Sequence, residues 1–212
     1  AVLPLDDNPD RMWERLGAIL RNQVGKSMKS GLESRIGGAE LLRNFYGVYL
    51  RNMRALGSPP LPAAFFQAVL AEFGPAARIC VVDLGRRTVA GAVLLGSGQV
   101  LEIPWAASIP RYRPLAPVML LYWTAIRHAT EAGYRIFDMG RSSPGSGSDH
   151  FKRQWKSECE PLPWHYWIRS GAGLPAFTEA GGRLALLRTL WSWMPIVLVK
   201  NVGTRVIRYI PG

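Results

Sequence analysis

Residues 78–105 read RICVVDLGRRTVAGAVLLGSGQVLEIPW, and their patterning decides the fold class. Valine, isoleucine and leucine dominate, in short runs broken by GRR at 85–87 and GSG at 96–98. Glycine supplies the positive φ that tight hairpin turns need. Three antiparallel strands are therefore expected, over 78–84, 88–95 and 99–105. Pro104 has no N–H to donate to a ladder, which predicts an edge position or a bulge at the end of the third strand.

Upstream the hydrophobic period changes to that of a helix. Leu41, Leu42, Phe45, Val48, Tyr49 and Met53 form one apolar stripe that runs to Gly57. SPPLP at 58–62 then forces an extended turn, because proline cannot continue a helix, and a further helix follows over 63–73. Still earlier, a basic helix is expected over 10–30, with Asn8 or Asp10 as its cap and Gly31 as its stop. A short extended piece over 32–36 follows it. Downstream, 118–132 is apolar almost all round and reads as a buried helix, and 134–138 as a short strand. A loop, GRSSPGSGS (140–148), leads into HFKRQW (150–155), and 162–168 reads as a last strand. In the tail, Leu184, Leu187, Trp191 and Met194 make one helical stripe, and Val199, Val202, Val206 and Ile210 another. The order is that of an α/β protein on one mixed, mainly antiparallel sheet flanked by helices, with a helical C-terminal tail.

Composition narrows the class of function. The 212 residues carry a formal charge of +11, which favours a polyanionic partner such as RNA, a nucleotide-linked substrate or an acidic membrane surface. Cys80 and Cys159 fit neither a disulfide framework nor a zinc pattern, and His128, His150 and His165 are too dispersed for a metal site. No metal and no cofactor are expected. The opening AVLPLDDNPD has no basic stretch followed by an apolar core, so no secretory signal is read there, and a reducing, cytoplasmic setting is expected. Neither a Cys nucleophile with matched partners nor a G-x-S-x-G elbow is present, so direct transfer is simpler than a covalent enzyme intermediate.

Specific wording carries a resemblance. LRNQVGKSMKSGL (20–32), ELLRNFYGVYLRNMRALGSPPLPAAFF (40–66), EIPWAAS (102–108), MLLYWTAIRHATEAGYRIFDMGRSSPGSG (119–147) and HFKRQW together resemble the FemAB-like family. More narrowly they are similar to the FemAB-type proteins encoded with exosortase and exopolysaccharide systems. The likeness runs from about Leu16 to Trp167. It implies a GNAT-like fold over 37–168, a basic helix and linker over 1–36 leading from an upstream GNAT-like half, and basic amphipathic helices over 169–212. It also implies an acyltransferase. Fem proteins take an amino acid from aminoacyl-tRNA and add it to a peptidoglycan precursor; in the exosortase branch the acceptor is an amine of another envelope molecule. Such a protein works on the cytoplasmic side, with peripheral contact to the inner face of an anionic membrane.

The resemblance also points to residues. Phe151 and Lys152 match the late Phe-Lys motif at the acyl-transfer site. A fixed ammonium there stabilises the negative charge that builds on oxygen as an amine attacks an ester; the alternative is a solvated lysine paired with Asp149 or Glu158. Asp138 is read as orienting or deprotonating the acceptor amine and Arg141 as gripping a carboxylate or phosphate, or else the two pair to brace the loop. Trp105 walls the cleft or lies in the core. GNAT enzymes that use acetyl-CoA hold its pyrophosphate on a glycine-rich turn opening the buried helix. Here RYRPLAPVML (111–120) places Pro114 and Pro117 there, which argues against that donor. Tyr112 and Arg113 remain as substrate contacts. Arg21, Lys26 and Lys29 could track an RNA backbone or simply be a solvated face. Two further readings stay open: a non-catalytic module binding tRNA or anionic membrane, and an acyl-CoA-dependent N-acyltransferase acting on a sugar amine.

Overall fold

The computed structural model describes residues 1–163, 165, 167 and 182–207, with side chains omitted for 182–187. It opens with a strand that the sequence reading does not anticipate, β1 (Val2–Pro4). The helix expected over 10–30 is two helices, α1 (Pro9–Arg15) and α2 (Ala18–Lys29). The break falls at Leu16 and Gly17, whose ψ values of 137° and 152° are extended. Arg21 closes the gap by donating from Nη1 to the carbonyls of Glu14 (2.9 Å) and Leu16 (2.7 Å). Met12, Leu16, Leu20 and Val24 are buried despite the break, so one apolar stripe serves both helices. Asn8 caps α1, its side-chain oxygen accepting the Asp10 N–H at 2.7 Å.

There follow β2 (Leu32–Gly37), α3 (Leu42–Leu56), α4 (Ala63–Phe73), β3 (Ala77–Leu84), β4 (Arg87–Ser97) and β5 (Val100–Ser108). Then come α5 (Pro117–Glu131), β6 (Ile136–Asp138), α6 (Gly147–Gln154), α7 (Gly182–Trp193) and α8 (Ile196–Val206). The three strands expected at the centre are present, and Gly57 ends α3 in the left-handed region at φ 70°. The sheet order is β1-β6-β5-β4-β3-β2, antiparallel except for the β5–β6 pair. Residues 1–36 supply β1, most of β2 and two packed helices to this sheet.

Two cores flank the sheet. On one face α1, α2, α5 and Trp155 of the segment after α6 cover Cys80, Val82, Leu94, Leu101 and Phe137. On the other, α3 and α4 cover Ile79, Val81, Val93 and Ala107, with Phe66 edge-on to Phe45 (5.2 Å), Tyr49 (5.1 Å) and Trp105 (5.5 Å). α5 is buried on nearly every side, as its composition implies.

The bulge expected at Pro104 is present. Val93 pairs with Trp105 but Leu95 pairs with Glu102, so Ile103 and Pro104 together face one residue of β4. Its consequence is visible in the cores. Leu101 and Ile103 point to the α5 face, whereas Trp105 and Ala107 point to the α3 face. An unbroken strand would keep all four on one side.

The C-terminal helices pack on α3. Arg54 donates to the Ser192 carbonyl (2.9 Å), and an added Cβ on Gly203 would come within 2.4 Å of Pro60. Of the second expected stripe, Val199 is buried while Val202 and Val206 are exposed; Ile210 lies outside the described residues. The side chains of Leu184 and Leu187 also lie outside them; of the strand expected over 162–168, residues 162, 163, 165 and 167 are described and none of them is in a strand, while the other three lie outside. Among the described residues no helix is long and apolar enough to cross a membrane.

Candidate active site

β5 and β6 run parallel for three rungs only, Val100–Ile136, Leu101–Phe137 and Glu102–Asp138. Beyond Glu102, β5 continues to Ser108 with no strand on that side among the described residues. Among the described residues, the backbone groups of 103–108 along that edge are thus left open at the point where the two strands part. Glu102 and Asp138 form the last rung. Leu101 and Phe137 point into the α5 core, so by strand alternation these two carboxylates share the opposite face.

Burial is the main reason that the Glu102 carboxyl titrates above its ordinary value of 4.5, and the neighbouring charge of Asp138 adds to it. Asp138 accepts the Gly140 N–H on Oδ1 at 2.7 Å, which turns the chain immediately after β6. Lys152 approaches the same turn from α6. Its ammonium donates to the carbonyls of Gly140 (2.9 Å) and Arg141 (2.7 Å), and the residue is only 4% exposed. Three N–H bonds on the ammonium leave one for a ligand. Desolvation pulls the Lys152 pKa below 10.5, and the carboxylates of Asp138 and Asp149 and the Cys159 thiol oppose it.

Lys152 forms no ion pair with Asp149 or Glu158 among the described residues. Asp149 accepts the Gly145 N–H and the Arg153 Nε, each at 3.0 Å on Oδ2, and these bonds hold its carboxyl below the usual range. Glu158 bonds through its backbone to Val2. Ser146 caps α6 by accepting the Asp149 N–H (3.2 Å). Ser146 and Asp149 therefore fasten both the Gly/Ser loop and the helix that carries Lys152.

The expected residues fall into four groups. Lys152, Asp138 and Arg141 converge at the end of β6, with Phe151 beside them, edge-on to Tyr122 at 4.8 Å. Trp105 lies past the bulge on the α3 face, half-buried against Phe65 and Phe66. Tyr112 and Arg113 lie in the 3-10 segment before α5, where Arg87 and Arg111 both donate to the Tyr112 hydroxyl. Arg21 is turned onto carbonyls, whereas Lys26 and Lys29 are exposed on the end of α2 that Ser27 ties to the Ala116 carbonyl (2.7 Å). Sequence reasoning missed Glu102, although it stands first in the EIPWAAS phrase, and the capping pattern Ser146-x-x-Asp149, which announces α6. Among the described residues no group of His, Cys, Asp and Glu could hold a metal.

A mixed sheet whose parallel pair parts beside two carboxylates and a buried ammonium is the framework of a GNAT-type acyltransferase. The Acetyltransferase (GNAT) domain family matches residues 18–153, and the chain belongs to it. No curated protein matches it by sequence. Among solved structures it is similar to FemX, of the FemAB family, at 16% identity and a TM-score of 0.65, with 74% of this chain and 58% of that one covered. The C-terminal domain of a putative lysylphosphatidylglycerol synthetase from Agrobacterium fabrum matches at 16% identity and 0.58, covering 74% and 56%. An aminoglycoside acetyltransferase from an uncultured soil metagenomic sample, in complex with sisomicin, matches at 16% and 0.53, covering 67% and 98%. The chain thus spans little more than half the length of the first two.

Proposed function

We propose that this GNAT-type acyltransferase moves an aminoacyl group from aminoacyl-tRNA to an amine of a cell-envelope or exopolysaccharide precursor. The setting is the cytoplasmic face of the membrane, with an upstream GNAT-like half completing the cleft. The observation that carries the choice of donor is the start of α5. The Ala116 N–H is bonded to the Arg113 carbonyl (2.9 Å), Pro117 has none, and the Met119 N–H turns back to Ala116 (3.0 Å). Only the Val118 N–H is left without a partner among the described residues. A pyrophosphate needs several such donors at a helix N-terminus, so this turn is poorly suited to coenzyme A.

In this reading the acceptor amine attacks the ester carbonyl carbon. A C–N bond forms as the carbonyl π pair moves to oxygen, and Lys152 together with the open edge of β5 stabilises that charge. Glu102 takes the proton lost by the amine, with Asp138 and Arg141 orienting the substrates. The intermediate then expels the donor's ribose oxygen, breaking the C–O bond, and the proton returns to that oxygen. The test is label transfer by the full-length protein from charged tRNA to an amine acceptor, beside thiol release from acetyl-CoA. Transfer from tRNA without thiol release is expected. Turnover with acetyl-CoA and none with charged tRNA would overturn the choice of donor.

A further inference from the structure

A second concavity, of about 570 Å³, opens between the outer face of α3, the β3–β4 turn and the segment after β5. Five arginines line it: Arg43 and Arg51 from α3, Arg86 and Arg87 from the turn, and Arg111 after β5. Arg43, Gly47 and Arg51 are spaced four apart and so lie along one side of α3, with the glycine leaving room between the two side chains. A short polar chain fixes the walls. Asn44 donates to the Thr88 hydroxyl (2.8 Å), which donates to Asp83 (2.6 Å).

The charges here are uncompensated. The Asp83 carboxylate is taken by Thr88 and by Arg35 at 2.9 Å. None of the five lining arginines forms an ion pair among the described residues. Arg87 and Arg111 are held on the Tyr112 hydroxyl and Arg51 on the Gly47 carbonyl, so their guanidiniums are positioned. Arg43 and Arg86 make no hydrogen bond among the described residues. Guanidiniums gathered without counter-charges repel one another, and a ligand with several adjacent negative oxygens relieves that repulsion. Arginine's planar fork matches phosphate oxygens in pairs. A nucleic-acid backbone spreads its phosphates along a stripe, whereas this is one small-molecule-sized hollow.

We propose that the arginine cleft is a binding site for a diphosphate ester. It stands apart from the Glu102–Asp138 rung, six residues along β5, or roughly 20 Å at strand rise. The claim concerns binding and does not depend on the donor or acceptor proposed above.

Calorimetry on the full chain at matched ionic strength tests it without turnover, using inorganic pyrophosphate, orthophosphate, ADP, UDP and farnesyl diphosphate. Saturable one-to-one binding of pyrophosphate, tighter than orthophosphate, is expected. Arg43→Gln combined with Arg86→Gln should weaken it about tenfold to a hundredfold, while Arg127→Gln, on α5, leaves it unchanged. A gain with ADP or UDP over pyrophosphate identifies a nucleotide carrier, and a gain with farnesyl diphosphate a lipid one. Absence of saturable pyrophosphate binding, or an equal loss in Arg127→Gln, overturns the proposal. So does tighter binding of a single-stranded RNA oligonucleotide that depends on the same arginines.

Discussion

Lys152→Met is expected to lower kcat/KM for aminoacyl transfer by about a hundredfold to a thousandfold, the effect of deleting one donor aimed at a developing oxyanion. Methionine keeps much of the buried stem, so packing survives, but the carbonyls of Gly140 and Arg141 lose their donor. Unsatisfied carbonyls cost roughly 1–3 kcal/mol, and release of a desolvated charge offsets part of that. The variant should therefore fold, with a modest fall in Tm. A pH profile separates electrostatics from architecture. The folded pKa of Lys152 lies below the unfolded value, so above it the native state has given up a proton that the unfolded chain still holds. Wild-type stability should thus rise through that alkaline window while turnover falls, and Lys152→Met should show neither limb. Wild-type turnover in a folded Lys152→Met protein would remove Lys152 from the chemistry.

Glu102→Gln should cut kcat by about a hundredfold or more, because an amide cannot accept the amine proton. The stability effect has the opposite sign. Between 4.5 and its raised folded value, native Glu102 retains a proton that the unfolded chain has lost. Stability consequently falls as pH rises through that window, and at neutral pH a half-buried charge faces Asp138. Glu102→Gln should melt higher than wild type at pH 7 and show no gain at pH 4. Wild-type turnover should have an acid limb above the ordinary carboxylate range, and the variant should lack it. Full activity with an unchanged acid limb would assign proton transfer elsewhere, Asp138 being the next group to replace.

Much of the fold was legible because it is locally encoded. Strands β3 to β5 follow from β-branched runs and glycine turns, and α3 to α5 from helical stripes and the prolines around them. β1 was not legible, since three residues acquire strand character only by pairing with β6 and carry no period of their own. The split of α1 from α2 was hidden too: a continuous apolar stripe masked a break that Arg21 stabilises across space. At the site, the resemblance reached Lys152, and Asp138 was legible from its place where a strand end meets the Gly/Ser loop. Their partners, the Gly140 and Arg141 carbonyls and the Glu102 side chain, are joined through the sheet and α6, and no spacing announces them.

The sequence by itself determined the bulge in β5, because a proline in a ladder has no N–H and the pairing must yield around it. It also determined the crippled donor set at the start of α5, for the same reason. Only the tertiary structure decided which residues share the opening. The parallel β5–β6 pair joins residues 36 apart in the chain at each rung and stops after one carboxylate from each strand. Burial then separates their behaviour, a property of the surroundings that neither side chain carries alone.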